Sequence, residues 1–363
     1  VVLLSNAPRS VLAADAATPA DLPSFQVDLN QTSVSGLSSG AFMAGQFAVA
    51  YSSIVVGAGI VAGGPYYCAG YPGIFGYTNY VMNATSSCMN PASKFAVPPS
   101  APASWAAAQT FAGFGDIDAT SNLARQRIYL FSGKNDQTVT TQVVQETNRF
   151  YALAGVPSQN VKFVNTVNAG HAIITKLNSD LGCSITASPY INDCGFTQAN
   201  DILNFIYPSL KPASSKLSGK IISFNQASFA PTALSSMSNT GYAYVPQACN
   251  TQTCRVHVAF HGCKQGAEQI GDLFYAKTGY NEVADANNII VLYPQATISQ
   301  AMPMNPEGCW DFWGYTSPFF PTMPSFYKKS AVQMAAVKAM LDRLAAPRAS
   351  SPALQAQANV LNN

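Results

Sequence analysis

Gly36-Leu37-Ser38-Ser39-Gly40 is a G-x-S-x-G pentapeptide. It lies between Phe25 to Val34, whose alternation predicts a strand, and Ala41 to Tyr51, a proline-free run that predicts a helix. At such a strand-to-helix elbow the central serine is thrust out of a tight turn, and the flanking glycines keep side chains from clashing. The helix N-terminus adds partial positive charge where an oxyanion would form. Ser38 is the central residue, and Ser39 after it offers a backbone N–H. An ordinary Ser/Gly turn would carry the same letters, so the partners of the serine decide its chemistry.

A serine hydroxyl needs a base, and the chain has three histidines. His171 follows the predicted strand Val161–Val164 and ends Asn168-Ala169-Gly170-His171, a loop at a strand's C-terminal end. His257 lies inside the strand Val256–Phe260, where a structural role is expected. His261 belongs to His261-Gly262-Cys263, which has a different use. Elimination favours His171. The carboxylate that orients it should end a strand between nucleophile and base. Asp136, after Phe131-Ser132-Gly133-Lys134-Asn135, meets that condition. Asp116 and Asp118 have no strand before them, and Asp180 comes after the histidine.

These residues need elements to hold them. Strands are predicted at Ile54–Ala62, Arg127–Phe131, Ile221–Phe224, Tyr242–Val245 and Ile289–Tyr293. Helices are predicted at about Thr141–Ala154, Ala199–Tyr207, Gly279–Ala286 and Ser330–Leu344, with 64–120 loop-rich. Alternating strands and helices indicate a mostly parallel sheet covered on both faces. Residues 1–23 read as a leader or export-signal remnant, 24–346 as a single catalytic domain, and 347–363 as a disordered tail. The segment 209–219 reads as a loop inside that domain.

Composition bounds the partners. Of 363 residues 48% are hydrophobic and 10% charged, against about 25% charged in an average soluble protein. A net charge of +2 with no basic stripe leaves no footprint for nucleic acid or anionic membrane. The neutral polar surface suits an uncharged or insoluble partner. No apolar run is long enough to span a membrane. Eight cysteines without CxxC spacing, with three histidines in the whole chain, argue against a metal site and make a disulfide framework the expectation, hence an oxidising compartment. Proximity suggests the couples 68/88, 183/194, 249/254 and 263/309, out of on the order of 100 connectivities.

One motif is out of place. Val256-His257-Val258-Ala259-Phe260-His261-Gly262-Cys263 looks like the strand and His-Gly loop that esterases place upstream of the nucleophile to supply an oxyanion-hole N–H. Here it lies far downstream, so the early strands of the sheet have moved to the C-terminal half, a circular permutation. The hole would then be the N–H groups of Ser39 and Cys263.

Over roughly residues 24–345 the sequence resembles the single-domain, extracellular short-chain-length poly(3-hydroxybutyrate) depolymerases. The resemblance is carried by Ser35–Gly40, Ala62-Gly63-Gly64-Pro65-Tyr66 with Cys68, Gly133–Asp136 with Thr138-Val139, and Gly170-His171. It continues in Ser188–Ile191 with Cys194, Phe260–Cys263, Asn281, Ala284-Asp285, Asn287-Asn288, Tyr293–Ala296, Gly308–Asp311 and Gln333–Ala336. It implies a circularly permuted α/β-hydrolase fold, a Ser38–Asp136–His171 triad, the four local disulfides, and Trp310 as a wall of a polymer crevice. Tyr66 is a further substrate-contact candidate. The implied activity is cofactor-free, metal-free hydrolysis of insoluble polyester by a secreted monomer. A feruloyl- or acetylxylan-type esterase, a general carboxylesterase and a non-catalytic polymer-binding protein are the other readings. Ala41-Phe42 departs from the familiar Gly-Tyr after the elbow. The aromatic clusters Tyr66, Tyr67, Tyr71, Ile74, Phe75, Tyr77 and Trp310, Phe312, Trp313, Tyr315, Phe319, Phe320, Phe326 would adsorb the enzyme to polymer if exposed.

Overall fold

A computed structural model describes residues 19–70, 79–230, 232–319 and 323–348. The strands are β1 (Thr32–Leu37), β2 (Val55–Val61), β3 (Arg127–Phe131), β4 (Val161–Val164), β5 (Ile173–Thr175), β6 (Leu181–Gly182), β7 (Ile191–Asp193), β8 (Lys220–Asn225), β9 (Thr240–Val245), β10 (Arg255–Phe260) and β11 (Ile289–Tyr293). The helices are α1 (Ser39–Ala50), α2 (Tyr80–Thr85), α3 (Ala101–Gly113), α4 (Thr141–Leu153), α5 (Gln198–Ile206), α6 (Thr232–Ser235), α7 (Ala267–Ile270), α8 (Leu273–Lys277), α9 (Tyr280–Ala286) and α10 (Val332–Ala345).

Eight strands form one sheet in the order β4-β3-β2-β1-β10-β11-β9-β8, and β5-β7-β6 form a small second sheet. β9 alone runs antiparallel to its neighbours in the large sheet. Read from the β8 edge, the last four strands precede β1-β2-β3-β4. A chain begun at Lys220 would carry the His-Gly loop after its third strand, then Ser38, Asp136 and His171 after its fifth, seventh and eighth strands of the sheet. That is the α/β-hydrolase order, Ser before Asp before His with an oxyanion loop after the third strand. The fold is a circularly permuted α/β hydrolase. The chain's early and late segments lie together, as permutation requires: the N–H groups of Phe25 and Val27 both donate to the Leu344 carbonyl.

Side-chain size on β2 explains the layering. Gly57 and Gly59 face α5, where a Cβ would come within 2.8 Å of Ile206 and 2.6 Å of Ile202. Ile60 points the other way, to Gly45 of α1. A glycine-rich parallel strand thus lets α5 sink onto one face while α1 covers the other. Every residue of α1 is buried, which accounts for an apolar run without a polar face.

The packing of α1 is closest at its first turn. A Cβ on Gly40 would lie 2.3 Å from the His261 carbonyl oxygen and 2.4 Å from that of Phe260. A Cβ on Gly36 would lie 2.3 Å from the Gly40 oxygen. Only glycine lets α1 fold back on β1 and abut the end of β10. Beneath this contact His257 bridges two strands, with Nδ1 2.6 Å from Ser33 Oγ and Nε2 2.7 Å from Ser35 Oγ.

Several boundaries differ from the sequence reading. β1 begins at Thr32, not Phe25, because residues 25–27 are spent on α10. Residues 20–23, expected in a leader, are packed: Leu22 is fully buried and the Ala20 carbonyl accepts from Asn225 N–H. Pro347 and Arg348, expected in the tail, bond to Ser24 and Gln26. The loop-rich stretch 64–120 contains α3, capped by Ser100 Oγ with proline in its first turn, a start signal present in the sequence. The segment 209–219 is pinned along α9 through Lys211 to Asn287, Ser214 to Glu282 and Ser218 to Asp285. The remaining parts of the expected leader (1–18) and tail (349–363) lie outside the described residues.

All four expected cysteine couples are bonded: Cys68–Cys88, Cys183–Cys194, Cys249–Cys254 and Cys263–Cys309.

Two predictions follow from the packing. Gly40→Ala should destabilise the protein by about 3 kcal/mol or more, since backbone rather than a movable side chain occupies the space; a urea midpoint equal to wild type would contradict it. The second concerns pH. Burial lowers His257 to about 3 and His261 to about 4, so both stay neutral in the folded protein where the unfolded chain has taken up protons below about 6.5. Stability should therefore fall as pH drops from 6.5 towards 4, at a slope of up to about 2.7 kcal/mol per pH unit for two protons. Asp311, raised by burial, opposes this at the acid end. Urea titrations at pH 7 and pH 5 read the slope, and equal stabilities would refute it.

Candidate active site

Ser38 sits between β1 and α1 at φ 57° and ψ −124°, a strained conformation for a residue with a side chain. The turn is held by the Ser38 N–H to the Val61 carbonyl and by Ala41 and Phe42 N–H to the Ser38 carbonyl. Gly262 lies against it: a Cβ there would be 3.5 Å from Ser38 Cβ. The His-Gly loop is therefore beside the serine. Neither the Ser39 nor the Cys263 N–H donates to a protein acceptor among the described residues, and both residues line the same cavity as Ser38. Two unpaired N–H groups next to a half-buried serine that opens on the cavity can hold a developing oxyanion.

The loops after β3 and β4 are stitched to one another. Lys134 N–H donates to Val167 and Asn135 N–H to Ala169, and a Cβ on Gly133 would come within 2.2 Å of the Ala169 oxygen. Asp136 Oδ1 accepts from the N–H groups of Thr138 (2.8 Å) and Val139 (2.9 Å), which leaves Oδ2 for His171. His171 Nδ1 donates to Oδ2 at 2.7 Å, with both side chains buried. The imidazole's tautomer and orientation are thereby set, with Nε2 left for the cavity. Gly170 N–H bonds to Cys183 and His171 N–H to Thr186, so the Cys183–Cys194 bridge anchors the base from behind.

The rival residues are engaged elsewhere. Asp116 pairs with Lys328, Asp118 with Lys329 and Ser53, and Asp180 with Thr175. His257 is enclosed in the sheet. His261 donates Nδ1–H to the Gly262 carbonyl (2.7 Å) and accepts from Ala296 N–H (3.1 Å), a support for the loop and not a base.

Ser38, Ser39, His171 and Cys263 open on a cavity of about 340 Å³. Its walls are apolar, with Leu37, Phe42, Val81, Met89, Val139, Tyr190, Phe312 and Trp313, while Lys264 and Glu307 pair at 2.9 Å on its lining. Phe42, the departure from the familiar pair after the elbow, stacks on Phe312 at 4.1 Å. The two expected crevice contacts require correction. Trp310 is fully buried against Phe260 and His261, and Trp313, three residues on, lines the cavity instead. Tyr66 is buried under Phe111 and Phe150 and donates to the Tyr327 carbonyl. Phe312, Tyr315 and Phe326 are likewise buried, Tyr67 is half-buried, and Phe319 is exposed. Tyr71, Ile74, Phe75, Tyr77 and Phe320 lie outside the described residues.

The sequence reading missed the wall formed by α2 and Met89. The Cys68–Cys88 bridge that holds this wall was its available signal. No group of side chains suited to a metal occurs among the described residues.

No protein-family model matches the chain. It is 42% identical over 332 residues to a poly(3-hydroxybutyrate) depolymerase of Delftia acidovorans, covering 89% of this chain and 61% of that protein. It is 40% identical over 310 residues to a polyhydroxybutyrate depolymerase of Talaromyces funiculosus, covering 81% of this chain and 85% of that one. The chain thus spans less than two thirds of the bacterial relative's length and most of the fungal one's. The crystal structure of PHB depolymerase from Penicillium funiculosum superposes with a TM-score of 0.78 at 36% identity, covering 90% of this chain and 98% of that one. A serine-to-alanine variant of a PHB depolymerase, complexed with an R3HB trimer, matches equally well. With the elbow, the Asp–His pair and the permuted sheet in one arrangement, the chain belongs to the poly(3-hydroxybutyrate) depolymerase family.

Proposed function

We propose that this protein is a secreted serine esterase that hydrolyses poly(3-hydroxybutyrate) through Ser38, His171 and Asp136. The observation that carries the reading is the Asp136–His171 hydrogen bond opening on an apolar cavity that also holds Ser38 and two unpaired N–H groups. His171 Nε2 takes the Ser38 proton as Oγ attacks an ester carbonyl of the chain. The N–H groups of Ser39 and Cys263 hold the tetrahedral oxyanion, each worth about 3 kcal/mol in such sites. Asp136 stabilises the imidazolium, which then protonates the departing hydroxyl of the next unit. Water activated by the same histidine releases the acyl half and restores Ser38. No step calls on a cofactor.

The apolar walls favour a polyester without charge along its length over sugar esters, whose hydroxyls would be desolvated without partners. The names of the two relatives and the trimer-bound neighbour support the same substrate. Four disulfides support an oxidising, extracellular setting, and no described helix is long and apolar enough to cross a membrane. One large sheet built from both halves of the chain supports a single catalytic domain, which the packed residues 20–23 and 347–348 extend beyond 24–346.

Clearing of a poly(3-hydroxybutyrate) suspension, with products identified by mass, tests the reading. Wild type should release 3-hydroxybutyrate or its short oligomers. Ser38→Ala should lose about 10⁵-fold or more in kcat, and Asp136→Asn about 10⁴-fold, with folding intact. Clearing by Ser38→Ala would refute the nucleophile. Failure of wild type to clear, with p-nitrophenyl butyrate still cleaved, would refute the polymer.

Adsorption has a separate signature. Met302 and Met304 are 72% and 58% exposed on the segment that carries the cavity residues Glu307 and Cys309, and Met323 is 68% exposed. Replacing all three by serine should weaken binding to polymer film severalfold and leave p-nitrophenyl butyrate hydrolysis unchanged. Equal binding would rule this surface out.

A further inference from the structure

We infer that Gln265 is a positioning residue that aims the Cys263 N–H and registers the oxyanion loop against the loop that carries the base. This rests on the serine-esterase reading of the site. Gln265 is 1% exposed, and its carboxamide bonds to both sides. Oε1 accepts from the Gly262 N–H at 2.7 Å. Nε2 donates to the carbonyls of Pro189 at 2.8 Å and Tyr190 at 3.1 Å.

The first bond acts on the oxyanion hole. The Gly262 carbonyl accepts from His261 Nδ1–H and from the Gln265 N–H, and the Gly262 N–H is taken by Gln265 Oε1. The two bonds to its carbonyl hold the Gly262–Cys263 peptide plane, and the bond from its N–H to Gln265 Oε1 holds the adjoining His261–Gly262 plane, so the two torsions of Gly262 between them are restrained. The Cys263 N–H, on the opposite edge of that plane from the Gly262 carbonyl, keeps its direction. A glycine without these bonds would sample many orientations, and a donor off line by tens of degrees loses most of its hydrogen bond.

The second pair of bonds acts on the base. The Tyr190 carbonyl that accepts from Gln265 also accepts from the Ile173 N–H, two residues beyond His171. The Tyr190 ring meets the His171 ring edge-on, with centroids 6.5 Å apart, and Tyr190 holds a left-handed φ of 56°. One side chain from the C-terminal half of the chain therefore sets the distance between the oxyanion donor and the histidine, which comes from the N-terminal half. Neutral amide chemistry is required. The residue must accept from one N–H and donate to two carbonyls, which no apolar or acidic side chain of that size can do.

The test uses the full chain and the soluble substrate p-nitrophenyl butyrate, with butylboronic acid as a tetrahedral probe of the oxyanion hole. Gln265→Met should lower kcat about 10- to 100-fold, less than or near the loss of a whole donor, with KM within about twofold. The inhibition constant of butylboronic acid should rise by a similar factor. Unchanged kcat, or a fall in kcat with unchanged boronate affinity, would overturn the inference. Gln265→Glu guards against a folding failure, since it retains shape and the acceptor for Gly262 but turns a carboxylate on two carbonyls. It too should lose kcat, and wild-type turnover by this variant would overturn the link to Tyr190. Ser38→Ala separates the two readings: if it still turns over, the site assignment fails, whatever Gln265 does.

Discussion

The contact between the first turn of α1 and the end of β10 is the constraint on which the site depends. Gly36 and Gly40 bring the backbone at Ser38 and the carbonyls of Phe260 and His261 to a separation that excludes any Cβ. That approach forces Ser38 into its strained turn and frees the N–H groups at the start of α1. It also sets Gly262 and Cys263 beside the serine. The strain at Ser38 is carried because the sheet on one side and α1 on the other leave the turn no alternative.

Around this contact the protein keeps charge out. His257 and His261 are held neutral by burial, and each uses its ring to tie backbone or hydroxyl groups. Asp136 and His171 pair with each other. Asp311 is buried too, but its carboxylate gathers the N–H groups of Trp313, Gly314, Tyr315 and Thr316. It thereby shapes the loop that brings Trp313 to the cavity. In a low-dielectric crevice, fixed dipoles act strongly on the one charge that develops during reaction. The same dryness suits a substrate that has only esters and methyl groups to offer.

The proposed catalytic set was legible in the sequence because each member sits in a tight loop with its own local code. Gly36-Leu37-Ser38-Ser39-Gly40 marks a close-packed elbow. Asp136 stands two and three residues before the N–H groups that cap it. Gly170 precedes His171 where Ile185 and Ser184 crowd the backbone. The displaced His261-Gly262-Cys263 revealed the permutation, since a strand motif keeps its pattern wherever the chain is cut. Three of the disulfides join cysteines 5, 11 and 20 residues apart, whereas Cys263–Cys309 spans 46 residues and closes only through the fold.

Alternation and apolar runs by themselves marked the long strands of the large sheet and the helices α1, α4, α5, α9 and α10, because those patterns report one-sided or two-sided burial, but not α3 or the short strands β5 to β7. The G-x-S-x-G elbow and the loops at strand ends pointed to Ser38, Asp136 and His171. Only the tertiary structure decided which aromatics face substrate. Trp310 and Trp313 are three residues apart in one loop, and both are large and apolar. The Asp311 carboxylate turns the chain between them, so that the first fills the core and the second reaches the crevice. The role of Gln265 was hidden for the same reason. A glutamine has no periodic signature, and its three partners come from segments about 75 residues distant and from Gly262 at hand. Such contacts are set by how the layers close on one another, which no local pattern encodes.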